Sequence, residues 1–345
     1  MAEVSIVLES IKLLKMSDDE YFSKKYSHYL SNSKLSLINP DEGGSSELFK
    51  AGYSKEYSDS FALGSAVHAM LLQPEYYEIS PLTKPNSKLG LWAEEVFKLR
   101  KSGETLETSF LIASEKADYY KYKLNGNKLK TAIKKSLPFY LKRIKLEEDI
   151  NKATIILSDS LKPKFEELFS SLDHNKIKKV LFPEGFIQSP EVFNEYALLA
   201  DLQYVDEETG EITIIPFKAK LDNFSIDREE KVVHLVDLKT SRKPVSYFMG
   251  NIVKKYDESG IYSETKYVGS FQKYHYYRQM AVYLFLLSSA IKSIYNLTDY
   301  KFKASMLVVE TMPDFNTKVF LVNNSYIKEG LAEFKKLLGL VVNNG

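Results

Sequence analysis

The sequence contains no cysteine, and this absence excludes several kinds of functional site. Without cysteine the chain has no disulfide, no thiol nucleophile, no cysteine-type zinc site and no iron–sulfur cluster. A bound metal would need carboxylates, carbonyl oxygens or the five histidines as ligands. Any metal site predicted from this sequence must therefore be built from oxygen or imidazole groups.

A long apolar run and a signal peptide are also lacking. The most apolar stretch, 281–291, is shorter than the roughly 18 to 20 residues of a membrane helix and contains Ser288 and Ser289. The N-terminus has acidic residues instead of the basic flank and apolar core of a signal peptide. For a chain of 345 residues, we expect a soluble cytoplasmic protein of one large or two ordinary domains, without a membrane partner.

The sequence has little net charge, with 47 basic and 46 acidic residues, but this balance conceals two oppositely charged segments. Residues 116–145 contain ten basic residues and one acid, whereas residues 184–237 contain thirteen acids and four basic residues. Basic side chains of the first segment could neutralise phosphates, and its tyrosines could stack on unpaired bases. A solvated lysine face remains the alternative interpretation of that segment.

Apolar periodicity predicts a mainly helical first half and a second half that contains strands. We predict helices around 6–16 and 18–30 and over 61–73, 92–100, 111–124, 129–147 and 153–172. Strands are predicted over 193–204, 212–226 and 232–240, followed by a helix over 271–291, strands over 302–309 and 318–322, and a helix over 325–340. This order of elements is typical of an α/β or α+β fold.

A charged pair follows the apolar strand that ends at residue 236. Asp237 and Lys239 lie on one face of this strand, because side chains alternate. If the two central strands form a hairpin about their polar tip, Asp222 lies opposite Asp237. Two adjacent carboxylates repel each other unless a divalent cation lies between them, and oxygen ligands favour Mg²⁺ or Mn²⁺. Two acids that splay apart on the surface are the alternative.

A metal held by two carboxylates beside an ammonium group suits phosphodiester hydrolysis. The metal would lower the pKa of a bound water, while Lys239 would orient that water or stabilise the transition state. Asp222, Asp237 and Lys239 resemble the active-site pattern of the PD-(D/E)xK nucleases, with Leu221 in place of the usual proline.

Two further motifs flank the aspartates in the chain. His68 follows Gly64 by four residues, and Gln279 and Tyr283 lie one turn apart on a later predicted helix. Each motif alone is more often structural than functional. Their order, Gly-x-x-x-His, then Asp, then Asp-x-Lys, then Gln-x-x-x-Tyr, resembles the RecB-like branch of the PD-(D/E)xK superfamily.

The segments around these motifs make the resemblance closer. Residues 61–75 look like the opening of RecE-type (exonuclease VIII-like) exodeoxyribonucleases of phages and prophages, and further similar segments are 86–92, 103–106, Glu195 and the turn at 209–210. The chain departs from this family at Lys220, where relatives carry arginine, and in a polar insertion around 254–270.

The resemblance implies a restriction-endonuclease-like core with a central mixed sheet flanked by helices. The implied organisation is an N-terminal helical segment and linker, 1–60, a helical part with the His68 helix and the basic helices, 61–180, and the catalytic core, 181–345. By resemblance, the Mg²⁺ ligands are Asp222, Asp237, the Leu238 carbonyl and His68, which would either bind the metal or lie beside it. The resemblance also implies that Lys239 serves the attacking water. Gln279 and Tyr283 would hold either the DNA strand or this lysine. Glu195 would be either an acid near the metal or a residue at the end of a strand.

We expect DNA contacts from two groups of residues. One group lies beside Gln279 and the other in the basic segment; together they are Lys273, Tyr276, Tyr277, Arg278, Lys128, Lys130, Lys134 and Lys135.

The activity that the resemblance implies is a metal-dependent exodeoxyribonuclease of a phage or prophage in a bacterial host. It would digest linear duplex DNA from 5′ to 3′ and leave 3′ single strands for a single-strand annealing recombinase. Related enzymes form ring-like homo-oligomers, so a homo-oligomer is expected. An endonuclease with the same active site and a DNA-binding protein without catalysis are the alternatives, whereas iron–sulfur relatives of the Cas4 type are excluded by the absence of cysteine.

Overall fold

A computed structural model describes residues 4–52, 59–80, 88–116, 131, 134, 137–138, 140–144, 153–185, 187–256 and 262–344. The chain divides into two compact units. The first unit combines Met1–Glu56 with Leu172–Gly345, and the second unit is Tyr57–Ser171. The N-terminal segment is thus part of the same compact unit as the predicted core.

The strands are, in chain order, β1 Val4–Lys15, β2 Tyr77–Ile79, β3 Ala153–Ile155, β4 Glu191–Asp206, β5 Ile212–Asp227, β6 Val232–Ser241, β7 Asn251–Tyr256, β8 Tyr262–Tyr267, β9 Lys301–Glu310 and β10 Thr317–Leu321. The helices are α1 Asp18–Tyr21, α2 Asn32–Ser36, α3 Ser46–Ala51, α4 Asp59–Leu72, α5 Lys88–Lys101, α6 Leu106–Lys116, α7 Lys162–Ser171, α8 His174–Leu181, α9 Ser270–Lys273, α10 Tyr276–Tyr295 and α11 Asn324–Asn344. None of the helices in these described ranges is both long and apolar enough to cross a membrane.

A six-stranded mixed sheet organises the first unit, in the order β1-β4-β5-β6-β9-β10. β6 and β9 pair in parallel, and the other neighbours pair antiparallel. Separate two-stranded sheets are formed by β2 with β3 and by β7 with β8. The predicted α/β class, with a central mixed sheet flanked by helices, is confirmed.

The main core of the first unit lies between this sheet and the helices α10 and α11. Val233 and Leu235 of β6 are fully buried in it, together with Leu286 of α10 and Phe334 of α11. Each such side chain stabilises the fold by ~1.5–3 kcal/mol relative to an exposed position. The core therefore fixes α10 against the strand that carries Asp237.

The predicted helix over 6–16 is wrong, because this segment is the edge strand β1. Ile6, Leu8, Ile11 and Leu13 all pack against the core, and the pairing with β4 shifts register between Leu8 and Ser10. This bulge changes the spacing of the core-facing residues from two to three. The resulting three-residue step imitates helical periodicity and explains the error.

Three further helix predictions are only partly correct. Residues 18–30 contain α1 and a single 3₁₀ turn, Lys24–Tyr26. Residues 153–172 begin with the strand β3, and α7 starts only at Lys162. The predicted helix over 271–291 is divided into α9 and α10 by His275, whose φ of 51° is left-handed.

The remaining predicted helices and strands agree with the structure to within five residues, where they are described. The helix predicted over 111–124 is described only as far as Lys116, and most of 129–147 lies outside the described residues. In the second unit, Trp92, Val96, Phe97, Ala113 and Tyr140 form a local core.

Candidate active site

The two central strands separate at the predicted pair of aspartates. The antiparallel ladder of β5 and β6 runs from Asp227 with Val232 to Asn223 with Val236. One residue further along this register, Asp222 lies opposite Asp237. Beyond that point β5 continues only beside β4, and β6 continues only beside β9. The predicted hairpin register is confirmed, and the aspartates lie where the sheet opens.

The side chain of Asp222 replaces a ladder hydrogen bond at this opening. The Leu238 N–H donates to Asp222 Oδ2 at 2.7 Å. Because the N–H and C=O of one strand residue point to the same edge, the Leu238 carbonyl is also directed towards the opening. Burial raises the pKa of the Asp222 carboxyl, although the charge of Lys239 opposes this effect.

Lys239 forms a buried ion pair with Asp237. Its Nζ lies 2.6 Å from Asp237 Oδ2, and the two side chains are 19% and 1% exposed. Burial by itself would lower the pKa of Lys239, but the charges of Asp237 and Asp222 outweigh this effect, and the pKa is raised. Lys239 is therefore a fixed cation near both aspartates.

The first two turns of α10 contribute three polar side chains to this region. Gln279 Nε2 donates to Asp237 Oδ1 at 2.9 Å. The Tyr276 ring centroid is 5.2 Å from Lys239 Nζ, which is the distance of a cation–π contact. Burial, followed by neighbouring charges that include Asp237, raises the pKa of Tyr283, whose side chain is hydrogen-bonded to Gln279. Helical spacing thus places Tyr276, Gln279 and Tyr283 along one face of α10.

A second ion pair flanks Asp222 on the side of β4. The register of β4 and β5 places Glu195 opposite Asp222, and Glu195 has a left-handed φ of 57°. Carboxylate oxygens of these two residues lie within 4.8 Å of each other. Lys220 Nζ contacts Glu195 Oε2 at 2.6 Å and also forms an ion pair with Asp18 of α1.

Lys220 and Asp18 were not predicted as site residues. Lys220 lies two residues before Asp222 on β5, so strand alternation was a usable signal for it. Asp18 gave no such signal, because it is 202 residues away from Lys220 in the chain.

The formal charges of this cluster favour a cation. Four carboxylates belong to it, from Asp18, Glu195, Asp222 and Asp237, and two ammonium groups, from Lys220 and Lys239. With all six groups ionised, two negative charges remain in excess. Oxygen donors with this excess charge are the ligand type that Mg²⁺ and Mn²⁺ prefer.

Two predicted DNA contacts are wrong. Arg278 is fully buried and forms ion pairs with Glu42 and Glu333. Tyr277 is 9% exposed, and its hydroxyl is 2.9 Å from His275 Nδ1. Neighbouring residues of a helix point about 100° apart, so Tyr277 and Arg278 do not lie on the face of α10 that carries Gln279, although they are close to it in the chain.

The other predicted contacts stay predictions. Lys273 is exposed, and Tyr276 is half-buried beside Lys239. Lys134 is exposed in the second unit, whereas Lys128, Lys130 and Lys135 lie outside the described residues.

His68 belongs to a helix of the second unit. It lies on α4 and is half-buried. Its predicted role as a metal ligand stays a prediction.

Comparison with known proteins adds little to this geometry. No protein-family model matches the chain, and no curated protein matches it either. One similar solved structure is a protein from Eubacterium rectale named "putative exonuclease". It is 12% identical, with 96% of this chain and 86% of that chain covered and a TM-score of 0.48. A likeness this slight decides neither the fold nor the function of this chain.

Proposed function

We propose that this protein is a metal-dependent nuclease that hydrolyses phosphodiester bonds of DNA. The observation that carries the proposal is the convergence of Asp222, Asp237 and Lys239 where β5 and β6 separate. Their order in the chain and their register in the sheet match the PD-(D/E)xK nuclease pattern that the sequence resembles. The two excess negative charges around them fit one divalent cation.

Asp222, Asp237 and the Leu238 carbonyl would hold the ion, with His68 as the fourth proposed ligand. When bound, Mg²⁺ or Mn²⁺ supplies an acidified water and offsets charge on the phosphate. Lys239 donates hydrogen bonds from a fixed position to the attacking water or to a phosphate oxygen. Gln279 keeps Asp237 in place, and Tyr276 limits where the ammonium group of Lys239 can move.

The proposed substrate is the end of linear duplex DNA, digested from 5′ to 3′. The support is the RecE-type motif order in the sequence, and the same resemblance supports a ring-like homo-oligomer in a bacterial host. The product would be a 3′ single strand, which a single-strand annealing recombinase could use in recombination. Lys273, which is exposed and lies three residues before Tyr276, remains a proposed DNA contact.

The test is an assay with linear duplex labelled at either the 5′ or the 3′ end and with a covalently closed circle. With Mg²⁺, we expect early release of the 5′ label and no degradation of the circle. Degradation of the circle at a comparable rate would indicate the endonuclease alternative. Lack of any DNA cleavage with Mg²⁺ or Mn²⁺ would contradict the proposed function.

The chain provides its own matched control for the active-site residues. Asp299 and Lys301 form a second Asp-x-Lys sequence, and both side chains are exposed. We expect Asp237→Asn and Lys239→Ala to abolish cleavage, whereas Asp299→Asn and Lys301→Ala should keep wild-type rates. If the substitutions at Asp237 and Lys239 changed the cleavage rate no more than those at Asp299 and Lys301, Asp237 and Lys239 would have no part in catalysis.

A further inference from the structure

A buried cluster of polar groups holds the beginning of α10. The fully buried Arg278 donates hydrogen bonds to Glu42, Glu333 and Asn32 at 2.6, 2.9 and 2.9 Å, and to Ser36 at 3.1 Å. These acceptors come from α11 and from the N-terminal segment 32–42. One guanidinium therefore connects three parts of the first unit through its planar fork of donors.

A close approach of two helices lies beside this cluster. Gly330 of α11 packs directly on α10, and a Cβ atom added there would lie 2.5 Å from the Tyr277 carbonyl oxygen and 2.9 Å from Arg278 Cα. Both distances are shorter than real Cβ contacts. The helices can thus approach this closely only because residue 330 has no side chain. Glu333, one turn further along α11, accepts a hydrogen bond from Arg278 in the same region.

The residues that flank Arg278 contact the candidate active site. Gln279 is the next residue and donates to Asp237, and Tyr276 is two residues earlier and faces Lys239. The side chain of His275 does not cap α10, but its Nδ1 lies 2.7 Å from Glu333 Oε1, so His275 and Arg278 both hold the beginning of α10 to α11. A displacement of this turn would move Gln279 and Tyr276 together.

We propose that Arg278 and Gly330 are positioning residues that set the distance between the first turn of α10 and the Asp237–Lys239 pair. Arg278 acts mainly through its neighbour Gln279. Because Arg278 is bonded to Glu42, the N-terminal segment 32–42 also helps to hold the first turn of α10 in place. The inference rests on the proposed nuclease function for its kinetic test, although its structural test is independent of activity.

Two glycine variants on α11 separate positioning from stability. Gly330→Ala forces α10 away near Arg278, whereas Gly339→Ala places a Cβ 3.0 Å from the Tyr204 hydroxyl and leaves α10 untouched. Both substitutions gain the same helix propensity. At temperatures well below unfolding, we expect Gly330→Ala to lower kcat about tenfold or more, because small misplacements of catalytic groups are costly. KM for DNA ends should stay within about threefold, and Gly339→Ala should stay within about twofold of wild type in both constants.

A double-mutant cycle tests the path through Gln279. Arg278→Lys keeps the charge but replaces the fork with one ammonium group, and we expect about a tenfold loss of kcat. In a Gln279→Ala background, Arg278→Lys should cause less than about a twofold further loss. Losses that multiply would show that Arg278 does not act through Gln279 and would overturn the proposal.

Amide hydrogen exchange supplies a readout without catalysis. In Gly330→Ala and Arg278→Lys, amides of residues 279–283 should exchange about tenfold faster, and those of 288–295 should keep wild-type rates. Wild-type rates at 279–283 in both variants would overturn the positioning proposal even if the protein cleaves DNA. An inactive wild-type protein would refute only the nuclease function, since the exchange result still decides the positioning.

Discussion

Replacing Lys239 with methionine keeps most of the side-chain volume and removes one buried charge. Unit charges 2.6 Å apart, the distance from Lys239 Nζ to Asp237 Oδ2, attract each other by about 6 kcal/mol at an effective dielectric constant of 20. Desolvation offsets part of this attraction, so breaking such a buried pair typically costs about 3–5 kcal/mol. We expect Lys239→Met to lower the free energy of unfolding by about that amount without metal.

The same substitution should change the response to Mg²⁺. Without the ammonium group, Asp222 and Asp237 have more uncompensated negative charge, so a divalent cation should raise the unfolding temperature of the variant more than that of the wild type. Nuclease activity should nevertheless fall by a factor of about 10² to 10³, the usual loss when one preorganised donor is removed. Thermal unfolding with and without millimolar Mg²⁺, together with cleavage of linear duplex, measures both effects.

The control is a lysine in an exposed ion pair. Lys231 pairs with Asp299 on the surface, where both side chains are more than half exposed. Lys231→Met should leave the unfolding temperature and the activity close to wild-type values, because solvent screens such pairs. If Lys239→Met behaved like Lys231→Met in both assays, the buried ion pair of Lys239 would have neither the stabilising nor the catalytic role expected here.

Three further predictions concern metal binding, pH and packing. Saturating Mg²⁺, at about 100 times its Kd, should stabilise the wild type by ~2.7 kcal/mol in thermal unfolding, and Asp222→Asn should remove this gain; a variant that keeps the full gain would argue against Asp222 as a ligand. Burial, and then the charge of Lys34, lowers the pKa of Lys218 from 10.5 to about 8. As the pH rises, Lys218 should therefore lose its proton at a lower pH in the folded protein than in the unfolded chain. The free energy of unfolding of the wild type should therefore rise between pH 8 and 10.5 by at most ~1.4 kcal/mol per pH unit. Lys218→Met lacks the buried charge, so its gain in unfolding free energy over the wild type, measured by denaturant titration, should shrink over that range. A gain that stays constant with pH would refute the lowered pKa of Lys218. Asn223→Ala should cost about 1–3 kcal/mol in the same titrations, because the buried amide of Asn223 donates to the Leu181 carbonyl at 2.9 Å and to Asn194 Oδ1 at 2.7 Å; a loss below 0.5 kcal/mol would show that water replaces those bonds.

The hairpin that carries Asp222 and Asp237 was predictable because its information is local. Two strands separated by a short polar tip determine their own register, so counting residues was sufficient. The helix with Gln279 and Tyr283 was predictable for a similar reason, since both residues lie one turn apart.

Features that depend on distant parts of the chain were not predictable in the same way. The bulge in β1 makes a strand imitate a helix, and only pairing with β4 reveals it. Asp18 joins the site through tertiary contacts. Arg278 has the polarity of a surface residue, and its acceptors come from segments far away in the chain. The sequence pattern of one segment does not predict contacts with such distant segments.

The parallel pairing of β6 with β9 also affects how the protein is made. β6 ends at Ser241 and β9 begins only at Lys301, about sixty residues later. At a translation rate of about 5–20 residues per second, one side of β6 waits roughly 3–12 s for its partner strand. During this interval β5 is the available sheet neighbour of β6. The central strand of the candidate site is therefore completed late in synthesis, and until then its open side can pair wrongly with another nascent chain.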